Sequence, residues 1–220
     1  MTSIFFDLDG TLTDPKEGIT RSIAYALQKI GVEPPPPERL TWCIGPPLLE
    51  SLRVLAGDGT TAEEALRHYR ERFAEVGLFE NRLYDGVLPG LAALSSASGA
   101  RLFVATSKPK VFAERILSHF GLDPFFETVF AAELDGTRSD KSHLLDYALA
   151  RSRSNPSAAV MVGDRRHDVR GALNNGIQAI GITYGYGTRE ELAEAGARTI
   201  YDSPNALFEG LRRYVLGDSA

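Results

Sequence analysis

Short apolar runs recur along the chain at Ser3–Leu8 (SIFFDL), Arg101–Ala105 (RLFVA), Thr128–Ala132 (TVFAA), Ala158–Val162 (AAVMV), Gln178–Ile182 (QAIGI) and Arg198–Tyr201 (RTIY). Each is too short for a buried helix, and the first is rich enough in Ile and Phe for a buried strand. Between them the apolar positions change to a period of about 3.6 residues. This helical pattern covers Val111–Gly121, Lys141–Ser152 and Asp168–Gly176, with helix-stopping glycines at Gly121 and Gly176. Strand alternating with helix predicts an α/β fold with an open, parallel, doubly wound sheet. In such sheets ligands sit beyond the carboxyl ends of the strands.

Residues 15–85 break the alternation. Gly18–Ile30, Leu48–Ala56 and Ala62–Val76 read as helices with no good strand run between them, and Pro34–Pro37 is a semi-rigid spacer that cannot continue a helix. The expected organisation is an α/β core built from residues 1–14 and 86–220. Residues 15–85 form an all-helical unit inserted after the first strand.

With 220 residues the chain is long enough for such a core and a smaller second unit. Hydrophobic content of 43% and charged content of 24% are those of a globular protein. The net charge of −5 gives no field attracting a polyanion, and no basic run suggests a nucleic-acid partner. Cys43 is the only cysteine, which excludes an intramolecular disulfide and a Cys-based zinc cluster. There is no basic stretch followed by an apolar segment at the N-terminus, and no apolar run of bilayer length. A cytoplasmic protein without a membrane partner is the expectation.

Several predicted strands end abruptly in polar residues. FFDLDGTLTD places Asp7 and Asp9 two residues apart, ATSKP places Thr106, Ser107 and Lys108, and VMVGDRRHD places Asp164 and Asp168. In a parallel sheet these ends share one rim. Lys141 opens a later helix and offers a positive charge. Each element also has a purely structural reading. Asp9-Gly10 suits a hairpin turn, Thr106 suits a helix N-cap, Asp164 and Asp168 suit capping carboxylates, and Lys141 suits a solvated first turn with Lys108 as its competitor. His167 reads as an exposed first-turn residue. Gly185-Tyr186-Gly187 reads as a flexible loop without the context of a dinucleotide site.

DLDGT, a hydroxyl residue closing a second strand, a lysine opening a later helix and GDxxxD closing a further strand occur here in order across the chain. This series is similar to the haloacid dehalogenase-like (HAD) phosphatase superfamily, and the helical insert resembles its C1 cap. The resemblance implies Asp7 as nucleophile and Asp9 as general acid and base. It implies a Mg²⁺ held by Asp7, the main-chain carbonyl of Asp9, and Asp164. Gly10, Thr106, Ser107 and Lys141 are the implied phosphate contacts, and Asp168 the carboxylate orienting Lys141 or a metal-bound water. The chemistry is consistent, because a dianionic phosphate ester needs positioning and charge neutralisation, and a carboxylate can form a covalent aspartyl-phosphate.

The loop Ile44–Leu48 (IGPPL) reads locally as a turn with proline at a helix start; the resemblance implies that it faces the substrate through Gly45 and Pro46, with Arg53 and the pair Asn81-Arg82 as further candidates for holding the leaving group. Asp9 argues against a dehalogenase, and the insert and chain length argue against a phosphoacceptor receiver domain. The resemblance is nearest the phosphoglycolate phosphatase and 5′-nucleotidase-like branch. It implies hydrolysis of a small phosphorylated metabolite, with 5′-nucleotides ahead of 2-phosphoglycolate. A phosphomutase of the β-phosphoglucomutase type shares the same aspartates.

Overall fold

The computed structural model describes residues 1–57, 59–96 and 99–217. Its centre is a parallel sheet of six strands: β1 (Thr2–Phe6), β4 (Ala100–Pro109), β5 (Thr128–Ala132), β6 (Ala159–Gly163), β7 (Gln178–Ile182) and β8 (Thr199–Tyr201). The spatial order is β5-β4-β1-β6-β7-β8. Strand β1 pairs with β4 on one side and β6 on the other, so the strand order reverses at β1. The doubly wound α/β fold expected from the alternating pattern is present, and all six apolar runs became strands. A reversal of this kind leaves a crevice beyond the strand's carboxyl end, where loops diverge to opposite faces.

Side-chain alternation along β1 sorts the two layers. Ile4 and Phe6 face a cluster with Leu91, Ile116 and Leu207 of α4 (Val87–Ser95), α5 (Lys110–His119) and α9 (Pro204–Leu216). Phe5 faces the other way, toward Leu144, Val169 and Leu192 of α6 (Lys141–Ser152), α7 (Arg166–Asn174) and α8 (Arg189–Ala195). Its ring stacks on Phe103 with centroids 5.0 Å apart. Burying one such ring contributes roughly 1.5–3 kcal/mol, so β1 is anchored on both faces just before its polar end.

The segment between β1 and α4 is mainly helical: α1 (Lys16–Lys29), a 3₁₀ helix at Pro37–Cys43, α2 (Leu48–Ala56), α3 (Thr60–Arg72) and a π-turn at Phe73–Gly77. The three helices occur where the 3.6-residue pattern placed them. A two-stranded antiparallel ribbon went unpredicted: β2 (Thr13–Asp14) pairs with β3 (Arg82–Leu83) where the chain leaves and re-enters the α/β layer. Two residues per strand are too few for any periodicity to register. Asp14 ties this ribbon together, accepting from Lys16 N, from Arg82 Nη2 at 2.8 Å and from the Tyr186 hydroxyl.

Candidate active site

Asp7 and Asp9 follow β1 directly and are both buried. Gly10 has φ +82°, and a Cβ there would lie 2.3 Å from Asp164 Oδ2. Only glycine allows the turn after β1 to come this near the turn after β6. Asp7 N donates to Val162 O at 2.9 Å, which extends the β1–β6 ladder to the carboxylates themselves.

Asp7, Asp164 and Asp168 each present a carboxylate oxygen within 4.8 Å of the others, all buried. The Lys141 ammonium reaches Asp7 Oδ1 at 3.0 Å, Asp168 Oδ1 at 2.7 Å and the Ala105 carbonyl at 2.9 Å. Burial alone would push the Lys141 pKa down. Asp168 and Asp7 outweigh that effect and raise it, so the ammonium is charged at neutral pH. Burial pushes the Asp168 carboxyl up, against the pull of Lys141. Asp168 Oδ2 also accepts from Arg165 N at 3.1 Å, so this residue caps α7 and orients the lysine at once.

Asp164 is fully buried. Its Oδ2 accepts from Tyr186 N at 2.8 Å, while Oδ1 has no hydrogen-bond partner among the described residues. Burial pushes its pKa well up, and Asp168 and Asp7 add repulsion. An acidic cluster with an orphaned buried oxygen and only hard oxygen donors fits a small divalent cation such as Mg²⁺. The Asp9 side chain turns instead to the cleft and pairs with the Lys108 ammonium. Burial raises the Asp9 pKa, with Lys108 opposing, and its Oδ1 has no partner.

A bulge interrupts the β4–β5 register between Thr106 and Pro109. Such bulges re-aim side chains beside sites. Thr106 is buried and its Oγ1 accepts from Lys108 N at 3.3 Å, closing a short hydroxyl turn. The helix-cap reading of Thr106 is corrected here, because α5 starts at Lys110 after Pro109 with no side-chain cap. Asn81 and Arg82 are likewise displaced from the leaving group. Asn81 Nδ2 points to Thr13 Oγ1 at 3.4 Å and Arg82 pairs with Asp14, so both secure the ribbon.

A cavity of about 320 Å³ opens over these groups. Asp7, Asp9, Thr106, Ser107 and Lys108 line it from the sheet side. Gly45, Pro46, Arg53, Tyr69, Arg70 and Phe73 line it from the helical segment. The structure thus brings Gly45 and Pro46 of the IGPPL loop to one cleft together with Arg53 of α2, which is exposed to solvent. Lys108 lies 4.6 Å from the centroid of the Phe73 ring, a cation–π contact across the cleft.

Three residues at the site have roles that went unread in sequence. Lys108 competes with Lys141 for no partner, since each lysine takes a different aspartate. Tyr186 belongs to the loop after β7, on the same rim, and its N–H holds Asp164. Arg165 stands next to Asp164 and turns toward the helical segment. A strand-end rule applied to β7 as strictly as to β1 and β6 finds Tyr186; nothing local marks the direction of Arg165.

The sheet reversal, the carboxylate cluster and the lysine bound to it define a haloacid dehalogenase-like hydrolase. The chain belongs to the haloacid dehalogenase-like hydrolase family, which matches it over residues 4–182. It is similar to a protein of Pseudomonas aeruginosa named 5'-nucleotidase, at 48% identity over 86% of each chain. It is also 47% identical to the Mycobacterium tuberculosis protein named tyrosine-protein kinase PtkA, over 84% of this chain and 62% of that one. The crystal structure of a predicted phosphatase from Clostridium acetobutylicum superposes with a TM-score of 0.92 at 42% identity, covering 96% of this chain and 97% of that one. Fold, site and relatives together define an enzyme of the HAD phosphatase class. Among the described residues no helix is long and apolar enough to cross a membrane.

Proposed function

We propose that this HAD phosphatase hydrolyses a small phosphate monoester through an aspartyl-phosphate on Asp7, with Mg²⁺ as cofactor, and that its substrate is a 5′-nucleotide in preference to 2-phosphoglycolate. The observation that carries the mechanism is the Asp7 carboxylate at the sheet reversal, bonded to Lys141 and facing Asp164. The substrate preference is supported by the 48%-identical relative named 5'-nucleotidase.

In this reading residues 15–85 are the cap over the α/β core of residues 1–14 and 86–220. Thr106, Ser107, Gly10 and nearby backbone N–H groups hold the phosphoryl oxygens, with Lys141 supplying positive charge. Asp7 attacks phosphorus, the bond to the leaving oxygen breaks, and Asp9 gives that oxygen its proton. Asp9, now ionised, takes a proton from water, whose oxygen attacks phosphorus and frees Asp7. Burial of Asp9 favours the protonated form that the first step uses. Asp7, Asp164 and the Asp9 carbonyl would hold Mg²⁺, which when bound neutralises charge between Asp7 and the phosphate. Asp168 orients Lys141.

The cleft holds about 320 Å³ and the net charge is −5, which suits a small metabolite over a nucleic-acid chain. We place the protein in the cytoplasm. The deciding experiment is phosphate release from a panel of 5′-nucleotides, 2-phosphoglycolate and sugar phosphates with Mg²⁺ present. A 5′-nucleotide is expected to show the highest kcat/KM. Preference for 2-phosphoglycolate overturns the substrate, and turnover that needs a bisphosphate overturns hydrolysis in favour of a mutase.

A further inference from the structure

Arg165 takes no part in the chemistry above, yet it is 7% exposed and its guanidinium is bonded in two directions. Nε donates to Glu191 Oε1 at 3.0 Å, and Nη1 donates to the carbonyl of Ile44, a fully buried residue in the helical segment. Between residues 18–80 and residues 84–217 only two hydrogen bonds are found among the described residues. They are this one and Arg70 Nη2 to Leu134 O. The second sits on an exposed edge, whereas the first is buried.

Gly45 follows Ile44 with φ +103°, and a Cβ there would approach Arg165 Cγ to 2.9 Å. The turn therefore lies directly on the arginine stem, and Gly45 and Pro46 form cleft wall. The partner carboxylate is fixed as well. Glu191 Oε1 also accepts from Arg166 N at 3.0 Å, so it is held to the start of α7 before it orients Arg165. A planar guanidinium can satisfy two partners at fixed angles, which an ammonium on a flexible stem cannot.

We propose that Arg165 is a positioning residue for substrate recognition: oriented by Glu191, it fixes the Ile44–Gly45–Pro46 turn as the wall against which the leaving group, a nucleoside under the reading above, is seated. The turn after β6 thus serves both halves of the substrate. Asp164 points to the phosphate side, and Arg165 holds the loop on the leaving-group side. Losing the donor leaves the buried Ile44 carbonyl unpaired and frees the turn from the core.

The full chain with Arg165→Met or Glu191→Gln tests this. Steady-state kinetics would use the best 5′-nucleotide and p-nitrophenyl phosphate. Amide hydrogen exchange would be followed at residues 43–45 and, as reference, at residues 62–70. Arg165→Met is expected to raise KM for the nucleotide by about tenfold, with kcat changed by less than about threefold and a smaller KM change for p-nitrophenyl phosphate. Exchange at residues 43–45 is expected to speed up by about tenfold with residues 62–70 unaffected. Glu191→Gln should shift both readouts in the same direction by less, and it carries the test if Arg165→Met does not fold. Unchanged exchange at residues 43–45, or equal loss of kcat for both substrates without a KM effect, overturns the proposal. Should the wild type hydrolyse no 5′-nucleotide, the substrate reading fails by itself; exchange and the KM of whichever ester is hydrolysed still decide the role of Arg165.

Discussion

The Lys141 ammonium lies 2.7 Å from Oδ1 of Asp168, and both side chains are buried. Lys141 opens α6 and Asp168 sits in the first turn of α7, so the pair joins two helix starts beneath Asp7. Removing one partner of a buried pair typically costs about 3–5 kcal/mol, because the other charge is left without compensation. Lys141 keeps its bond to Asp7, so Asp168→Asn is expected to cost less than about 3 kcal/mol and to lower Tm by less than about 12 °C for a chain of this size. It should also lower kcat by about 10–100-fold, since Lys141 is no longer oriented. Thermal melts and phosphate release check both. A variant with wild-type kcat would show that Lys141 needs no such orientation.

Asp7 and Asp9 are predicted to separate kinetically. Acid-quenched wild-type enzyme should carry a phosphoryl group on the peptide containing Asp7, detected by mass spectrometry. Asp7→Asn should lose that mark and at least about 1000-fold in kcat. Asp9→Asn should retain slow phosphorylation from an activated ester with a good leaving group while losing the natural substrate. Full turnover by Asp7→Asn contradicts the nucleophile assignment.

In the proposed function Asp164 holds Mg²⁺, which would link metal and pH. Its folded-state pKa is raised by burial and by Asp168 and Asp7. A carboxyl with a raised folded pKa binds more protons folded than unfolded. Stability of the metal-free protein therefore falls as pH rises from the ordinary carboxylate range through that folded value. Mg²⁺ competes with the proton for the same oxygens, so its stabilisation grows with pH. Thermal shifts at pH 5 and pH 8 should show a larger Mg²⁺ effect at pH 8, and EDTA should remove it together with the activity. A Mg²⁺ shift that is equal at both pH values counts against Asp164 as the ligand.

Gly10→Ala places a methyl group 2.3 Å from Asp164 Oδ2 at a positive φ. The backbone strain is about 1–2 kcal/mol. The larger consequence is expected at the carboxylate, which must move. Mg²⁺ affinity measured by titration should fall by at least about tenfold in a protein that still folds. Unchanged affinity would mean that the two turns tolerate a wider separation.

The core strands and most long helices were legible because each carries its period over enough residues to register. The aspartates were legible because they interrupt buried runs abruptly, as Asp7 and Asp9 do after Phe6. The β2–β3 ribbon was not, since Thr13–Asp14 and Arg82–Leu83 meet only after the helical segment has returned. Lys108 and Lys141 looked like rivals, because sequence does not say which carboxylate a long side chain will reach. The bulge after Thr106 decided that, sending Lys108 to Asp9 while Lys141 rises from α6 to Asp7.

By itself the sequence determined the alternation of strand and helix, the helices that follow β1 and the acidic and basic groups at the strand ends, because period, strand-end polarity and motif order are local properties. Only the tertiary structure decided which charges pair. It buried Asp164 with no partner for Oδ1 among the described residues and tied Asp14 of the ribbon to Tyr186 of the loop after β7. It also set Arg165 under the Ile44 carbonyl. Those contacts join residues far apart in the chain, and they form only when the sheet order brings the ends of β1, β4, β6 and β7 to one rim.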